Sequence, residues 1–158
     1  MSKTLDDLLD AAIHHEQLSQ AMYRDAAAIV TDPEARLFLR SLVEEEEGHE
    51  RMLLQMKKME IYDGSIPLED PSILDAGRGS HGASSPSELA PGASIDQVID
   101  LALAREHRAR SLFERLAATA RHEDLKQLFV NLAAEEDSHH RDIEKRFRAQ
   151  RGMMGDEN

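Results

Sequence analysis

Apolar residues recur every three or four positions in four stretches of the chain, a spacing that predicts four amphipathic helices. The first helix begins after Thr4, with Asp7 as a capping-box partner, and is broken at Thr31-Asp32-Pro33. Asp32 and Pro33 suit the N-cap and first position of a second helix, which should fade near Tyr62. Its predicted apolar face carries Leu37, Leu39, Leu42, Val43, Glu46, His49, Leu53 and Met56.

Two further helices follow a stretch, residues 63–93, that is rich in Gly, Pro, Ser and Ala and lacks a helical period. We interpret this stretch as a crossover and expect residues 77–87 to be mobile. Ser94 caps the third helix with Gln97 completing a capping box, and a short turn near Arg121-His122 leads to the fourth. Beyond Gln150 the chain is typical of a frayed, flexible tail.

The predicted fold is all-α: an antiparallel four-helix bundle in one domain spanning residues 1–158. It consists of one helical hairpin over about residues 4–62 and a second over about 94–150, with the long crossover between helices 2 and 3. The hairpins form an internal repeat at an offset of 90, because 11 of the 51 positions in 6–56 are identical to their partners in 96–146. This pattern indicates duplication of a helical hairpin.

The repeat preserves one arrangement of metal-binding residue types. In each hairpin a Glu is followed thirty residues later by Glu-x-x-His. At a rise of ~1.5 Å per residue both glutamates lie about 20 Å from the turn, so an antiparallel hairpin places them at one height. Residues three apart share a helix face, so each Glu-x-x-His presents a carboxylate and an imidazole together. The candidate metal ligands are Glu16, Glu46, His49, Glu106, Glu136 and His139.

These carboxylates fall within apolar stripes, which predicts that they are buried. Four buried, unpaired carboxylates would cost several kcal/mol per ion. Two divalent cations would balance their charge, and imidazole nitrogen suits iron, zinc or manganese. We therefore predict two metal ions per chain, although any one of these glutamates, taken alone, is more typical of an exposed helix position.

Other polar residues are predicted to have structural roles, and Tyr23 has a second interpretation. Tyr23 lies two turns after Glu16 and is either a core aromatic or a phenol that hydrogen-bonds a ligand carboxylate, whereas its repeat counterpart Phe113 can only pack. In the run 44–47, only Glu46 is predicted to point inward. The histidines without a matched copy are interpreted as surface or capping residues: His14, His15, His81, His107, His122 and His140.

Composition excludes several classes of function. The net charge of −12 argues against nucleic acid and anionic membranes as partners. The absence of Cys excludes disulfides, thiolate zinc sites, iron–sulfur clusters and a nucleophilic Cys, and it is compatible with a cytoplasmic location. No apolar run reaches membrane-spanning length, and the N-terminus is typical of a helix start rather than a signal peptide.

The ligand pattern resembles that of the rubrerythrin-type members of the ferritin-like superfamily. Leu128-Phe129-x-x-Leu132-Ala133-x-Glu135-Glu136-x-x-His139 is similar to the family's last-helix signature, and Ala12-x-x-x-Glu16 with Tyr23, and Glu106 with Phe113, are similar to its odd-helix signatures. The resemblance implies a ferritin-like bundle with a non-haem di-iron centre. In that centre Glu46 and Glu136 would bridge or chelate, Glu16 and Glu106 would be terminal ligands, and His49 and His139 would each bind one iron.

Two departures from the family pattern change this expectation. Rubrerythrins usually carry a further Glu three residues after the third-helix ligand, where this chain has Ala109, so we expect a more symmetric site. A rubredoxin-like module is excluded because the chain has no Cys to hold its iron. Electrons would then come from a separate donor protein.

The resemblance implies an oxidoreductase of the oxidative-stress response, whose di-iron site reacts with peroxide or dioxygen. It would reduce peroxide or oxidise ferrous iron, and we expect a homo-oligomer, a dimer or larger. Two alternatives remain open at this point: an iron-binding or storage protein without catalytic turnover, and a bundle in which zinc or manganese has a structural role.

Overall fold

Four long α-helices build the protein. The computed structural model describes residues 3–72, 74, 89 and 93–155, with side chains of the last helix as far as Phe147. The helices are α1 (Leu5–Ile29), α2 (Pro33–Met56), α3 (Ile95–Thr119) and α4 (Glu123–Gly155). The described ranges contain no β-strand, only an isolated bridge between Thr4 and Pro67. The predicted all-α four-helix bundle is confirmed, and no helix within these ranges is both long and apolar enough to cross a membrane.

The helices begin at the predicted capping residues. The Asp32 carboxylate accepts a hydrogen bond from the Ala35 N–H at 3.1 Å, and Pro33 occupies the first turn of α2. At the start of α3, the Ser94 N–H donates to Gln97 Oε1 at 2.8 Å and the Gln97 N–H donates to Ser94 Oγ at 3.2 Å. These bonds satisfy backbone N–H groups that have no partner within a helix, and they fix where each helix starts.

The start of α1 is covered by the segment that follows α2. The Leu5 N–H donates to the Ile66 carbonyl at 2.7 Å and the Asp6 N–H to the Gly64 carbonyl at 3.0 Å. A Cβ at Gly64 would lie 3.0 Å from Asp6 Cβ, so a side chain here would push this neighbour aside by a few tenths of an ångström. The first part of the predicted crossover is therefore packed against the bundle.

Two predicted boundaries differ from the structure. Helix α2 ends at Met56 rather than near Tyr62, because the chain continues as separate turns in which the Lys58 N–H donates to the Gln55 carbonyl and the Tyr62 N–H to the Met59 carbonyl. Helix α4 continues past Gln150 to Gly155. The stretch 77–87, predicted to be mobile, and the last three residues of the predicted tail lie outside the described residues.

The core consists of two apolar clusters. One surrounds the N-terminal half of α1 and the C-terminal half of α3, and includes Phe113 and Phe129. The other surrounds the opposite halves of these helices and includes Tyr23 and Phe147. Helices α1 and α3 are thus antiparallel, and a layer of polar side chains lies between the clusters.

Leu37 was predicted to belong to the apolar face of α2, and that prediction is wrong. Its side chain is 65% exposed, whereas Leu39 is fully buried. Two residues correspond to about 200° around a helix, so Leu37 and Leu39 cannot share the buried face.

Repeat-equivalent residues meet on two sides of the bundle. His15 Nε2 lies 3.0 Å from the carbonyl oxygen of Arg105 between α1 and α3. The rings of His49 and His139 stack between α2 and α4, with centroids 5.8 Å apart and planes inclined by 13°. Each pair is separated by 90 residues, so an approximate two-fold axis relates the hairpins and passes through the polar layer.

Candidate metal centre

The structure brings together all six residues that the sequence predicts to bind metal. They form two groups of four in the polar layer, and within each group one ligand atom per residue lies within 4.8 Å of the others. Glu46 and Glu136 belong to both groups. The first group adds Glu16 and His49; the second adds Glu106 and His139.

The imidazole Nδ1 atoms face the carboxylates. His49 Nδ1 lies 2.8 Å from Glu136 Oε1, 3.7 Å from Glu46 and 3.8 Å from Glu16. His139 Nδ1 lies 3.5 Å from Glu46 Oε1, and the remaining carboxylates of its group are at 3.6 and 3.8 Å. Each histidine therefore presents one nitrogen to the shared space between the carboxylates.

The outer nitrogens are held by two glutamates that the sequence analysis did not single out. His49 Nε2 lies 2.7 Å from Glu135, and His139 Nε2 lies 2.5 Å from Glu45. Each pair joins the two hairpins. Donation from Nε2–H to a carboxylate leaves Nδ1 as the metal-binding nitrogen and fixes the ring orientation.

The sequence contains a signal for these two glutamates. Both histidine motifs are preceded by a Glu-Glu pair, and Glu45 and Glu135 are identical positions of the repeat. They were interpreted as solvated because their side chains lie off the apolar stripe, and they are indeed 51% and 57% exposed.

Tyr23 satisfies both of its interpretations. It is fully buried within an apolar cluster, and its hydroxyl donates to Glu106 Oε1 in the other hairpin. Burial and the charge of Glu106 raise the pKa of Tyr23, so the phenol stays protonated and remains a donor. Phe113 has no hydroxyl, and its ring meets the edge of the His49 ring with centroids 6.3 Å apart.

His15 was predicted to lie at the surface, and that prediction is wrong. It is 5% exposed, and its Nε2–H donates to the Arg105 carbonyl. Burial lowers its pKa to about 4, so the ring is neutral at pH 7. The search for matched histidines missed it because its repeat equivalent is an arginine.

The other unmatched histidines agree with their interpretation where they are described. His14 and His107 are exposed, and His140 is half-buried. His122 Nδ1 accepts from the Asp124 N–H at 3.1 Å, as a capping residue does at the start of α4. His81 lies outside the described residues.

The donor atoms fit a pair of cations. All four ligand carboxylates are at most 2% exposed. Both oxygens of Glu16 and Glu46, one oxygen each of Glu106 and Glu136, and His139 Nδ1 lack a hydrogen-bond partner, and His49 Nδ1 and Glu136 Oε1 have only each other at 2.8 Å. A buried polar atom without a partner costs about 1–3 kcal/mol, and more if it is charged. Divalent cations between these atoms would remove that cost.

Protons neutralise the site when metal is absent. Burial opposes the charging of His49, but the carboxylates of Glu136 and Glu46 outweigh it and raise its pKa to about 11. Burial also opposes the charging of His139. The carboxylates of Glu106, Glu136 and Glu46 outweigh it, Glu106 most of all, and raise the pKa of His139 to about 12. Burial and the neighbouring charge of Glu46 raise the pKa of Glu136 to about 8. Metal must therefore displace protons from this site.

Comparison with known proteins supports the fold. No protein-family model matches the chain, and no curated protein matches it by sequence. A crystal structure from Thermotoga maritima, of a protein provisionally described as a ferritin-like diiron-carboxylate protein, is similar with a TM-score of 0.69. The two chains are 18% identical, and the match covers 94% of this chain and 97% of that one. This chain therefore has the ferritin-like four-helix-bundle fold.

The metal-free protein should become less stable as pH rises from 5 to 8. The folded-state pKa of Glu136, about 8, exceeds its ordinary value of 4.5, so its contribution to stability is full below pH 4.5 and is lost as pH rises through 8. His49 and His139 act in the same direction above pH 6.5. His15, whose pKa is lowered to about 4, acts in the opposite direction between pH 4 and 6.5, but its shift is smaller than that of Glu136. Glu46 has a lowered pKa, so its contribution is lost only as pH falls below 4.5.

Thermal unfolding of chelator-treated protein measures this effect, since 1 kcal/mol shifts the melting temperature of a domain this size by about 2–4 °C. We expect the metal-free protein to melt several degrees higher at pH 5 than at pH 8. The metal-loaded protein should show the opposite trend, because protons compete with metal. A metal-free melting temperature that rises with pH over this range would contradict the buried carboxylate layer.

Glu45→Gln and Glu135→Gln should each weaken metal binding by about 10- to 100-fold, because the amide no longer holds the imidazole as a carboxylate does. Glu44→Gln is the control, since Glu44 is an exposed neighbour on the same helix. Calorimetric titration of metal-free protein measures the affinities. Equal affinities for all three variants would show that the two contacts between Glu and His Nε2 do not position the ligands.

Proposed function

We propose that the protein is a rubrerythrin-like non-haem di-iron oxidoreductase that reacts with peroxide or dioxygen. The observation that carries this proposal is the paired donor set with two shared carboxylates. Glu46 and Glu136 would bridge two irons. Glu16 with His49, and Glu106 with His139, would complete the two positions.

The donor chemistry suits a pair of iron ions. Four carboxylates and two imidazoles combine hard oxygen and intermediate nitrogen ligands, with no thiolate. Four negative charges balance two ferrous ions, which is the charge state that the buried layer requires. When bound, two ferrous ions supply the two electrons that, with two protons, convert one hydrogen peroxide to two waters. Zinc or manganese would fit the same ligands.

The chain's own residues position the ligands and exclude water. The two apolar clusters enclose the layer from both ends of the bundle. Glu45 and Glu135 hold the imidazoles from outside, and their half-exposed carboxylates connect the His Nε2–H groups with solvent. This connection is the route we propose for protons between solvent and the centre.

The proposal includes the partners expected from the resemblance. A separate donor protein would return electrons to the irons. We also propose a cytoplasmic homo-oligomer, a dimer or larger, that acts in the response to oxidative stress.

One experiment separates this function from its alternatives. Ferrous-loaded protein is titrated with peroxide without oxygen, and visible absorption is followed. A catalyst consumes one peroxide per di-iron site and then turns over steadily when a reductant is supplied. Iron uptake without steady turnover would favour storage. Zinc or manganese in the protein as isolated, together with no absorption change when the ferrous-loaded protein meets peroxide, would favour a structural metal.

Two neighbouring histidines test which residues belong to the site. His139→Ala removes a ligand nitrogen, so it should lower metal occupancy and slow peroxide-driven oxidation at least about 10-fold. His140 is turned about 100° away from His139 on the helix, so His140→Ala should leave both nearly unchanged. Metal analysis and stopped-flow absorption measure these effects. His49→Ala and His14→Ala form the same contrast on the first hairpin.

Equal damage from His139→Ala and His140→Ala would contradict the assignment. The peroxide reaction would then depend on a residue outside the ligand layer.

A further inference from the structure

The two halves of the centre differ at one pair of repeat-equivalent positions. Tyr23 and Phe113 are both fully buried, but only Tyr23 carries a hydroxyl. That hydroxyl donates to Glu106 Oε1, whereas both oxygens of Glu16 lack a hydrogen-bond partner. The terminal carboxylate of one half is therefore held from outside, and that of the other half is not.

We propose that Tyr23 makes the two metal positions unequal. The position formed by Glu106 and His139 binds its metal first and more tightly. The position formed by Glu16 and His49 binds later and more weakly. This inference rests on the proposed metal centre.

The physical cause is that the Glu106 carboxylate is held in one orientation before metal binds. The phenol fixes one oxygen of Glu106, and the other, Oε2, lies 3.6 Å from His139 Nδ1 and has no hydrogen-bond partner. Glu106 thus faces the metal position in a binding orientation. No hydrogen bond fixes the orientation of the Glu16 carboxylate before metal binds, so fixing it on binding lowers the affinity of its half.

Hydrogen bonds to metal ligands change metal affinity by as much as this proposal requires. Loss of such an outer partner lowers metal affinity by about 10- to 100-fold. The phenol also withdraws some electron density from Glu106, but it does so at Oε1, which is not the oxygen nearest His139 Nδ1. We therefore expect the fixed orientation of Glu106 to raise metal affinity by more than the loss of ligand strength lowers it.

The outer contacts of the histidines match between the two halves, whereas the inner ones differ: His49 Nδ1 lies 2.8 Å from Glu136 Oε1, and the nearest carboxylate oxygen to His139 Nδ1 is at 3.5 Å. Each histidine has a cross-hairpin carboxylate at its Nε2, and both positions share Glu46 and Glu136. His15 and Arg105, which precede Glu16 and Glu106, are a second difference between the halves. A test that changes only the phenol separates its contribution from theirs.

The test titrates metal-free protein with Co²⁺ and follows visible absorption and binding heat. His49→Ala leaves the Glu106 position complete, and His139→Ala leaves the Glu16 position complete. We expect the His49→Ala protein to bind one Co²⁺ about 10-fold more tightly than the His139→Ala protein. Adding Tyr23→Phe should weaken binding about 10-fold in the first background and leave the second unchanged.

Phe113→Tyr provides the reciprocal variant. By the symmetry of the repeat its hydroxyl would face Glu16, so it should tighten Co²⁺ binding in the His139→Ala background and not in the His49→Ala background. The Phe113→Tyr measurement remains informative even if the Tyr23→Phe variants fail to fold. Melting temperatures of the metal-free variants show whether any change is a general loss of structure, since that would affect both backgrounds alike.

The outcomes distinguish this inference from the proposed function. Equal affinities in the two histidine backgrounds, or a Tyr23→Phe effect of the same size in both, overturn the inequality but leave the metal centre intact. Absence of Co²⁺ binding by the unaltered protein overturns the metal centre itself.

Discussion

Four carboxylates buried in one layer are the constraint on which the rest of this structure depends. Glu16, Glu46, Glu106 and Glu136 lie between two apolar clusters that keep water away. Like charges at this distance raise each other's pKa, and burial adds several kcal/mol per ion. The layer must therefore be neutralised by protons or by cations, so the folding of this bundle is linked to what its centre binds.

The internal repeat explains how six ligands reach one layer. Each hairpin supplies an equal set at an equal height, and the approximate two-fold axis brings the sets face to face. The contacts between His49 and Glu135 and between His139 and Glu45 run between hairpins. The carboxylate at each histidine Nε2 thus comes from the opposite hairpin, so the ligand set is completed only when the hairpins dock.

Sequence reasoning predicted those features that repeat within one helix or one hairpin. Helical spacing identified the buried faces, and the matched Glu and Glu-x-x-His positions identified the six residues that the structure brings together. Sequence reasoning missed side-chain contacts that a residue makes with the opposite hairpin. Glu45 and Glu135 lie off their own apolar stripes, and His15 is buried against Arg105. A hydrogen bond from Tyr23 to a ligand carboxylate was one of its two interpretations, but the sequence did not indicate that the carboxylate would be Glu106.

Anomalous scattering from crystals of iron-loaded protein, measured at the iron absorption edge, tests the central claim most directly. The account predicts two peaks per chain between Glu46 and Glu136, about 3.5–4 Å apart, as in two-metal sites, with one histidine Nδ1 beside each. A single peak, or no peak in this layer, would contradict it.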